Sequence, residues 1–285
     1  IHWCSALEVA FRAWSWLWLD HLVGAALPAE FRARLLNSLG QHGCHLEHNL
    51  SVYFSPNTHL LGEALVLHAL GVLYPDWPRS RRWIELGGAW VRRALRRQVQ
   101  SDGAHFEQSA YYHIYALDMF LAHYLLAGRP EEFRPVLIAM AEFLDHLMGA
   151  GRSIPLIGDD DGGRLFFPYG ERAEFGCATL ATCAVLFDRP EWLRDPGDLD
   201  EQALWWLGPV SPPAHAPATH ASRLFAASGL AVLRSGPHQV IFDTGAFGAG
   251  GAGHSHADTL QVLVRKPDVE WLLDPGTYTY IADPV

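Results

Sequence analysis

Over the first two-thirds of the chain the hydrophobic residues keep a helical rhythm. From Ala6 to Val23 they recur at i, i+3, i+4 spacing, with Glu8, Arg12 and Asp20 off the stripe, which predicts an amphipathic helix. Leu60 to Tyr74 is a second such run. The residues before it, Ser55-Pro56-Asn57-Thr58, are types that start helices. Arg79 to Val99 continues with a dense arginine face. Phe106 to Leu126 is long and aromatic, and Glu131 to Met148 is amphipathic and closes at Gly149. Ala173 to Phe187 is rich in small residues. Breaks such as Gly128-Arg129-Pro130 are short. Short connections favour antiparallel neighbours, so an array of helical hairpins is expected.

The texture changes after the segment Gly208 to Pro217, whose prolines cannot continue a helix. Beyond it, Gly229 to Arg234, Gln239 to Asp243, Thr259 to Arg265 and Val269 to Leu273 read as short strands between Gly, Pro and Asp. The pattern predicts an α+β multidomain protein. Residues 1–208 form a helical domain, 209–222 a Pro-rich linker, and 223–285 the start of an antiparallel β domain. No tandem repeat or low-complexity tract stands out. Ile1 opens inside a helical pattern and Val285 follows a strand-like run. The chain therefore reads as part of a longer protein lacking its native N-terminus, and both a periplasmic or secreted and a cytoplasmic location stay open.

Composition narrows the classes. The 285 residues are 49% hydrophobic and 18% charged, enough for a sizeable core and too little charge for disorder. A formal charge of −10 argues against nucleic acid as the main partner. Acidic substrates remain open, because a local cluster of His and Arg can attract them. Cys4, Cys44, Cys177 and Cys183 show no CxxC spacing and read as small hydrophobes. The richest apolar stretch, Ala13 to Val23, is broken by Asp20 and His21, short of the ~18 residues of a membrane span.

Four places carry candidate chemistry. Asn57 and His59 stand at a helix mouth, where they could hold an anion; the plainer reading is that Asn57 or Thr58 only caps the helix. Glu107 to His113 gathers ionisable groups within two turns. Its tyrosines are either core aromatics or, beside a positive charge, a base. Asp159-Asp160-Asp161 between glycines reads as a solvated turn and lacks the order of a calcium loop. The strongest place is the glycine-rich run from Gly245 to Gly253 leading into His254-Ser255-His256-Ala257-Asp258, with Asp274 further on. In a strand the two histidines would share a face. With a carboxylate nearby they make a candidate zinc or catalytic cluster.

Three segments in order resemble the heparinase II/III-like polysaccharide lyases, a group that includes heparin, heparan sulfate and alginate lyases. They are Asn57-Thr58-His59-Leu60-Leu61-Gly62-Glu63, then Asp102-Gly103-Ala104-His105-Phe106-Glu107 with Tyr112-His113, then Gly253-His254-Ser255-His256-Ala257-Asp258 with Leu273-Asp274-Pro275-Gly276. The resemblance implies an incomplete α/α toroid followed by an antiparallel β-sandwich-type domain, here apparently truncated, with the active site between them. It implies β-elimination at a uronic acid of an acidic polysaccharide. By similarity, Tyr112 is the base or acid, His254 assists charge neutralisation or acts as the partner base, and Asn57 and His59 hold the carboxylate. Glu107, His113 and Tyr278 would contact substrate. His256 and Asp274 would be two ligands of a zinc ion whose third ligand lies beyond Val285. Relatives often read Asn-Asn-His where this chain has Asn57-Thr58-His59, which bears on the role of Thr58. Two alternatives stand beside the lyase. One is a glycan-binding protein of the same fold with weakened turnover. The other is a glycoside hydrolase using Glu107, Asp159 or Asp160.

Overall fold

The computed structural model describes residues 2–167, 170–212, 221–248, 253–267, 269–277 and 279. It divides into two compact units. One holds residues 1–97 and 119–130, the other residues 98–118 and 131–285.

In the first unit α1 (Ala6–Val23) begins where the Ser5 side chain accepts the Glu8 N–H, and α2 is Ala29–Asn49. Next come α3 (Thr58–Leu73) and α4 (Ser80–Gln98). Val9, Ala13, Leu17, Leu39, Leu46, Val66, Leu70 and Trp83 form the core of this unit. The α2 helix escapes the hydrophobic pattern because it is polar overall and carries Gly40 and Gly43. Leu35, Leu39, His42 and Leu46 nevertheless give it a buried edge. Gly43 is needed there: a Cβ would lie 2.4 Å from the Trp83 ring. The Trp83 indole donates to Glu47 at 2.8 Å, and Arg79 binds the same carboxylate at 2.9 Å. Removing such a buried Trp costs about 3–5 kcal/mol.

The helix α5 (Ala110–Leu126) starts later than the aromatic pattern suggests. Residues 99–109 instead make a tight excursion, with Val99 bridging His105 and the Phe106 N–H donating to the Gln98 carbonyl. Gly103 turns it at φ +92, and a Cβ there would lie 2.1 Å from the Ala139 carbonyl oxygen.

In the second unit α6 (Arg134–Met148) ends at Gly149, followed by α7 (Phe175–Phe187) and the short α8 (Gln202–Leu207). Among the described residues five strands follow in a single antiparallel sheet: β1 (Arg223–Phe225), β2 (Leu230–Ser235), β3 (His238–Asp243), β4 (Val262–Lys266) and β5 (Val269–Leu272). Their spatial order is their order in the chain. The described strands thus make one layer rather than two. Val232, Ile241 and Leu263 are in register and buried along one face. On the same sheet Gln239 donates to the His146 and Leu147 carbonyls at 3.0 Å, satisfying the open end of α6. Residues 213–220 of the Pro-rich segment lie outside the described residues. No helix among the described residues is long and apolar enough to cross a membrane.

Candidate active site

The cluster in the second unit is built where three irregular segments meet. The first leads into α5. Ser109 accepts the Tyr112 N–H at 3.1 Å, capping the helix. Its hydroxyl also donates to the Asp159 carbonyl at 2.6 Å, and the Ala110 N–H donates to the Ile157 carbonyl. The second is the loop through Gly158, whose backbone has φ +67. A Cβ there would stand 2.6 Å from both the Gln108 and the His254 carbonyl oxygens, so only glycine allows the approach. The third is 253–261, which is turn and irregular backbone, not strand. Its His254 carbonyl accepts the Asp159 N–H at 2.8 Å. The two histidines therefore converge by a different route from a shared strand face: each ring meets one oxygen of the same carboxylate.

That carboxylate is Asp159. One oxygen lies 3.3 Å from His254 Nδ1 and the other 3.1 Å from His256 Nε2. The Thr277 hydroxyl donates to the second oxygen at 2.6 Å. His256 Nδ1 is 2.9 Å from Asp274, whose other oxygen accepts the Gly276 N–H at 2.7 Å. Tyr112 stacks on His254 with ring centroids 3.6 Å apart and planes 14° from parallel. Its hydroxyl donates to Asp161 at 2.6 Å. Asp160 pairs with Arg172. The acidic triplet is more than a solvated turn: Asp159 is buried, Asp160 half-buried and Asp161 exposed. Each of its carboxylates holds a different partner, and Asp159, which the sequence offered only as a hydrolase carboxylate beside Asp160 and Glu107, is the one that joins both histidines. Glycines on both sides make such a run look like surface loop.

Burial decides several roles. Glu107 is fully buried, 3.6 Å from His254 Nε2 and 3.5 Å from His105 Nδ1. His113 is 1% exposed; its Nδ1 accepts the His105 N–H at 3.3 Å and its Nε2 donates to the Met140 carbonyl at 2.9 Å. Burial pushes His113 down to about 4 despite the Met140 bond. Both of its nitrogens serve the backbone, so it supports the loop rather than contacting substrate. Burial also holds His254 below the ordinary imidazole range, against the pull of Asp159. At His256 burial works the same way, but the bonds to Asp274 and Asp159 outweigh it and raise the pKa. His254 is therefore biased towards its neutral form and His256 towards its protonated form.

The donors at His256 fit part of a metal site. Nδ1 and Asp274 converge, while Asp159 on Nε2 is the kind of outer carboxylate that orients a ligating imidazole. Asp159 and Asp274 sit on opposite nitrogens, so they do not close on one ion. Among the described residues no group of three or more His, Cys, Asp or Glu could hold a metal.

Asn57 and His59 belong to the first unit. Asn57 is the N-cap of α3, its Oδ1 accepting the His59 N–H at 2.9 Å. Thr58 is fully buried while Asn57 and His59 are half-buried. Tyr278 lies outside the described residues.

Comparison with known proteins bears on what this cluster is. Residues 3–159 match the family profile described as Heparinase II/III N-terminus, and residues 217–284 match Heparinase II/III-like, C-terminal. A heparin-sulfate lyase of Pedobacter heparinus is 34% identical over 104 residues, which is 36% of this chain and 15% of that protein. One of Bacteroides stercoris is 30% identical over 99 residues, 35% of this chain and 14% of that protein. Among solved structures, heparan sulfate lyase HepC from Pedobacter heparinus superimposes with a TM-score of 0.67 at 22% identity, covering 98% of this chain and 42% of that one. A structure of heparinase III gives 0.75 at 19% identity, covering 96% and 43%. The chain thus spans less than half the length of the proteins it matches. At these identities the superpositions speak for the fold: a helical array followed by an antiparallel sheet.

Proposed function

The chain belongs to the heparinase II/III family, and on that footing we propose that it is the part of a polysaccharide lyase that carries the toroid helices, the first strands of the β-sandwich and the catalytic cluster. The substrate is a uronic-acid-containing glycan, cleaved by β-elimination. The observation that carries this reading is Tyr112 stacked face to face on His254, with its hydroxyl bonded to Asp161.

The chemistry follows from the protonation states. The C5 proton of a uronic acid is weakly acidic because it is next to a carboxylate. Masking that carboxylate's charge lets the enolate-like transition state form. Asn57 and His59, half-buried at the start of α3, are the side chains assigned to that task. His254, held neutral, takes the C5 proton. Asp159 lies 3.3 Å from Nδ1 and Glu107 3.6 Å from Nε2; the nearer Asp159 takes the ring proton, which leaves Nε2 as the basic nitrogen. A carboxylate at 2.6 Å keeps the phenol proton on Tyr112, which makes Tyr112 the acid rather than the base. It gives that proton to the departing O4. The C5–H and C4–O4 bonds break while the C4–C5 double bond and an O4–H bond form; His254 ends with the C5 proton and Tyr112 without its own, and return of one proton from His254 to Tyr112 restores the cluster.

A zinc ion held by His256 and Asp274, with a third ligand outside the described residues, would lock the β side of the cluster. Asp159 then orients His256 and His254 together.

The test uses the full-length protein with heparan sulfate, chondroitin sulfate, hyaluronan and alginate, followed by the ultraviolet absorbance of the unsaturated uronate. A rise supports elimination and names the glycan. New reducing ends without absorbance would mean hydrolysis, and binding without cleavage would mean a glycan-binding protein; either outcome sinks the lyase.

A further inference from the structure

The arginine face of α4 has no place in the cluster. Six of the chain's 20 arginines lie on this one helix: Arg81, Arg82, Arg92, Arg93, Arg96 and Arg97. The chain as a whole is acidic, yet the charge is unevenly divided. The first unit holds eleven arginines against seven carboxylates, a formal +4, which leaves −14 for the second. At the N-terminal end of α4 the arginines are spoken for. Arg82 and the preceding Arg79 bind Glu47, and Arg81 binds Glu85. At the other end the picture differs. Arg93, Arg96 and Arg97 are exposed and have no carboxylate partner among the described residues. They line an open concavity with Ala89 and the half-buried Trp90, and the Arg93 guanidinium lies 5.0 Å from the Trp90 ring centre.

Favourable interaction with the helix dipole explains cations in the last turn, and so covers Arg96 and Arg97. It does not reach Arg93, a turn earlier, nor does it call for an indole in the same concavity. Residues three and four apart on a helix are surface neighbours, so Trp90, Arg93, Arg96 and Arg97 present one continuous patch. Guanidinium groups bind carboxylates and sulfates through two parallel hydrogen bonds, and an aromatic face packs against a sugar ring.

We propose that this patch is a second binding surface for the acidic glycan, which anchors a long polyanionic chain through Arg93, Arg96 and Arg97 with a sugar ring against Trp90. The identity of the ligand rests on the lyase reading; the electropositive surface itself does not. An anchor of this kind raises the local concentration of substrate without touching the reacting bond, so it acts on long chains and not on short ones.

The experiment compares the full-length protein with its Arg93→Ala/Arg96→Ala/Arg97→Ala variant. Heparin polymer, a heparin tetrasaccharide, neutral dextran and duplex DNA are the probes, each titrated across a range of salt. The expected result is about tenfold weaker binding of heparin polymer by the variant. The slope of log affinity against log salt should shrink by about two, as fits three lost ionic contacts. Turnover of the tetrasaccharide should be unchanged, and an Arg-to-Lys triple variant should recover part of the loss. Unchanged affinity for heparin polymer overturns the proposal, as it would if another part of the protein covers this face. Wild-type binding of duplex DNA as tight as that of heparin overturns it too, since the patch would then read charge and not glycan. If no glycan is cleaved at all, the lyase reading fails, while the binding titration still decides this proposal.

Discussion

Replacing Asp159 by Asn changes one atom and should disable the cluster. The Thr277 hydroxyl donates to one carboxylate oxygen, and His256 Nε2 faces the same oxygen at 3.1 Å. Two donors on that arm hold the Asn carbonyl oxygen there. The amide NH2 must then take the other arm, where the second oxygen stood 3.3 Å from His254 Nδ1. A donor at that point favours the tautomer with a bare Nδ1 and a protonated Nε2. The nitrogen that accepts the C5 proton is then blocked. General base catalysis contributes about 10²- to 10⁴-fold, so kcat should fall by about that factor. KM should stay within about threefold, because the change does not remove a substrate contact. Losing a charged acceptor beside His256 costs about 1.5–3 kcal/mol, a fall of several degrees in Tm. The assay is steady-state elimination followed by ultraviolet absorbance, paired with a thermal melt. Near-wild-type kcat refutes the tautomer argument. A raised KM at constant kcat would make Asp159 a substrate ligand instead.

Three further outcomes are expected. Tyr112→Phe keeps the ring stacked on His254 and removes only the acid, so turnover should drop about 10²- to 10⁴-fold with Tm nearly unchanged; a Phe variant that turns over normally removes Tyr112 from the mechanism. Gly158→Ala puts a Cβ 2.6 Å from two carbonyl oxygens at φ +67, which should cost about 1–3 kcal/mol and most of the activity; an unaltered melt would contradict it. Glu63 is buried on α3 and pushed up to about 7, although the Ser51 N–H and hydroxyl bond its carboxylate. The folded state therefore binds the extra proton, and its stabilising effect, complete below about 4.5, is lost as pH rises towards 7. In melts across this range Glu63→Gln should gain on the wild type by roughly 3 kcal/mol, and parallel curves would show that Glu63 ionises freely.

Helices with an unbroken apolar stripe were legible from the sequence. α1 occupies Ala6–Val23 as its spacing predicts, and α4 and α6 fall within a few residues of their patterns. α2 was not legible, because its polar sequence and paired glycines make sense only against the Trp83 ring. β1, three residues long, carries too little pattern to detect. Tyr112, His254, His256 and Asp274 stood out by residue type and are brought together. Asp159 did not, because nothing local distinguishes it from Asp160 or Asp161. Its importance comes from Gly158, which lets the loop press against two other backbones. His113 misled in the opposite sense, since a histidine beside a reactive tyrosine can equally be a backbone prop.

The contacts that define the cluster join distant parts of the chain. Tyr112 meets Asp161 across 49 residues, His254 meets Asp159 across 95, and Thr277 meets Asp159 across 118. Helices form from local contacts and form early, whereas such distant pairings must wait for the loops between them to close. On a ribosome adding about 5–20 residues per second, the stretch from Tyr112 to Thr277 takes on the order of 10–30 s to make. Throughout that interval the helices can assemble while the reactive groups remain apart. The hydrogen-bond network of the cluster can therefore first be complete only when the chain has been made through residue 277.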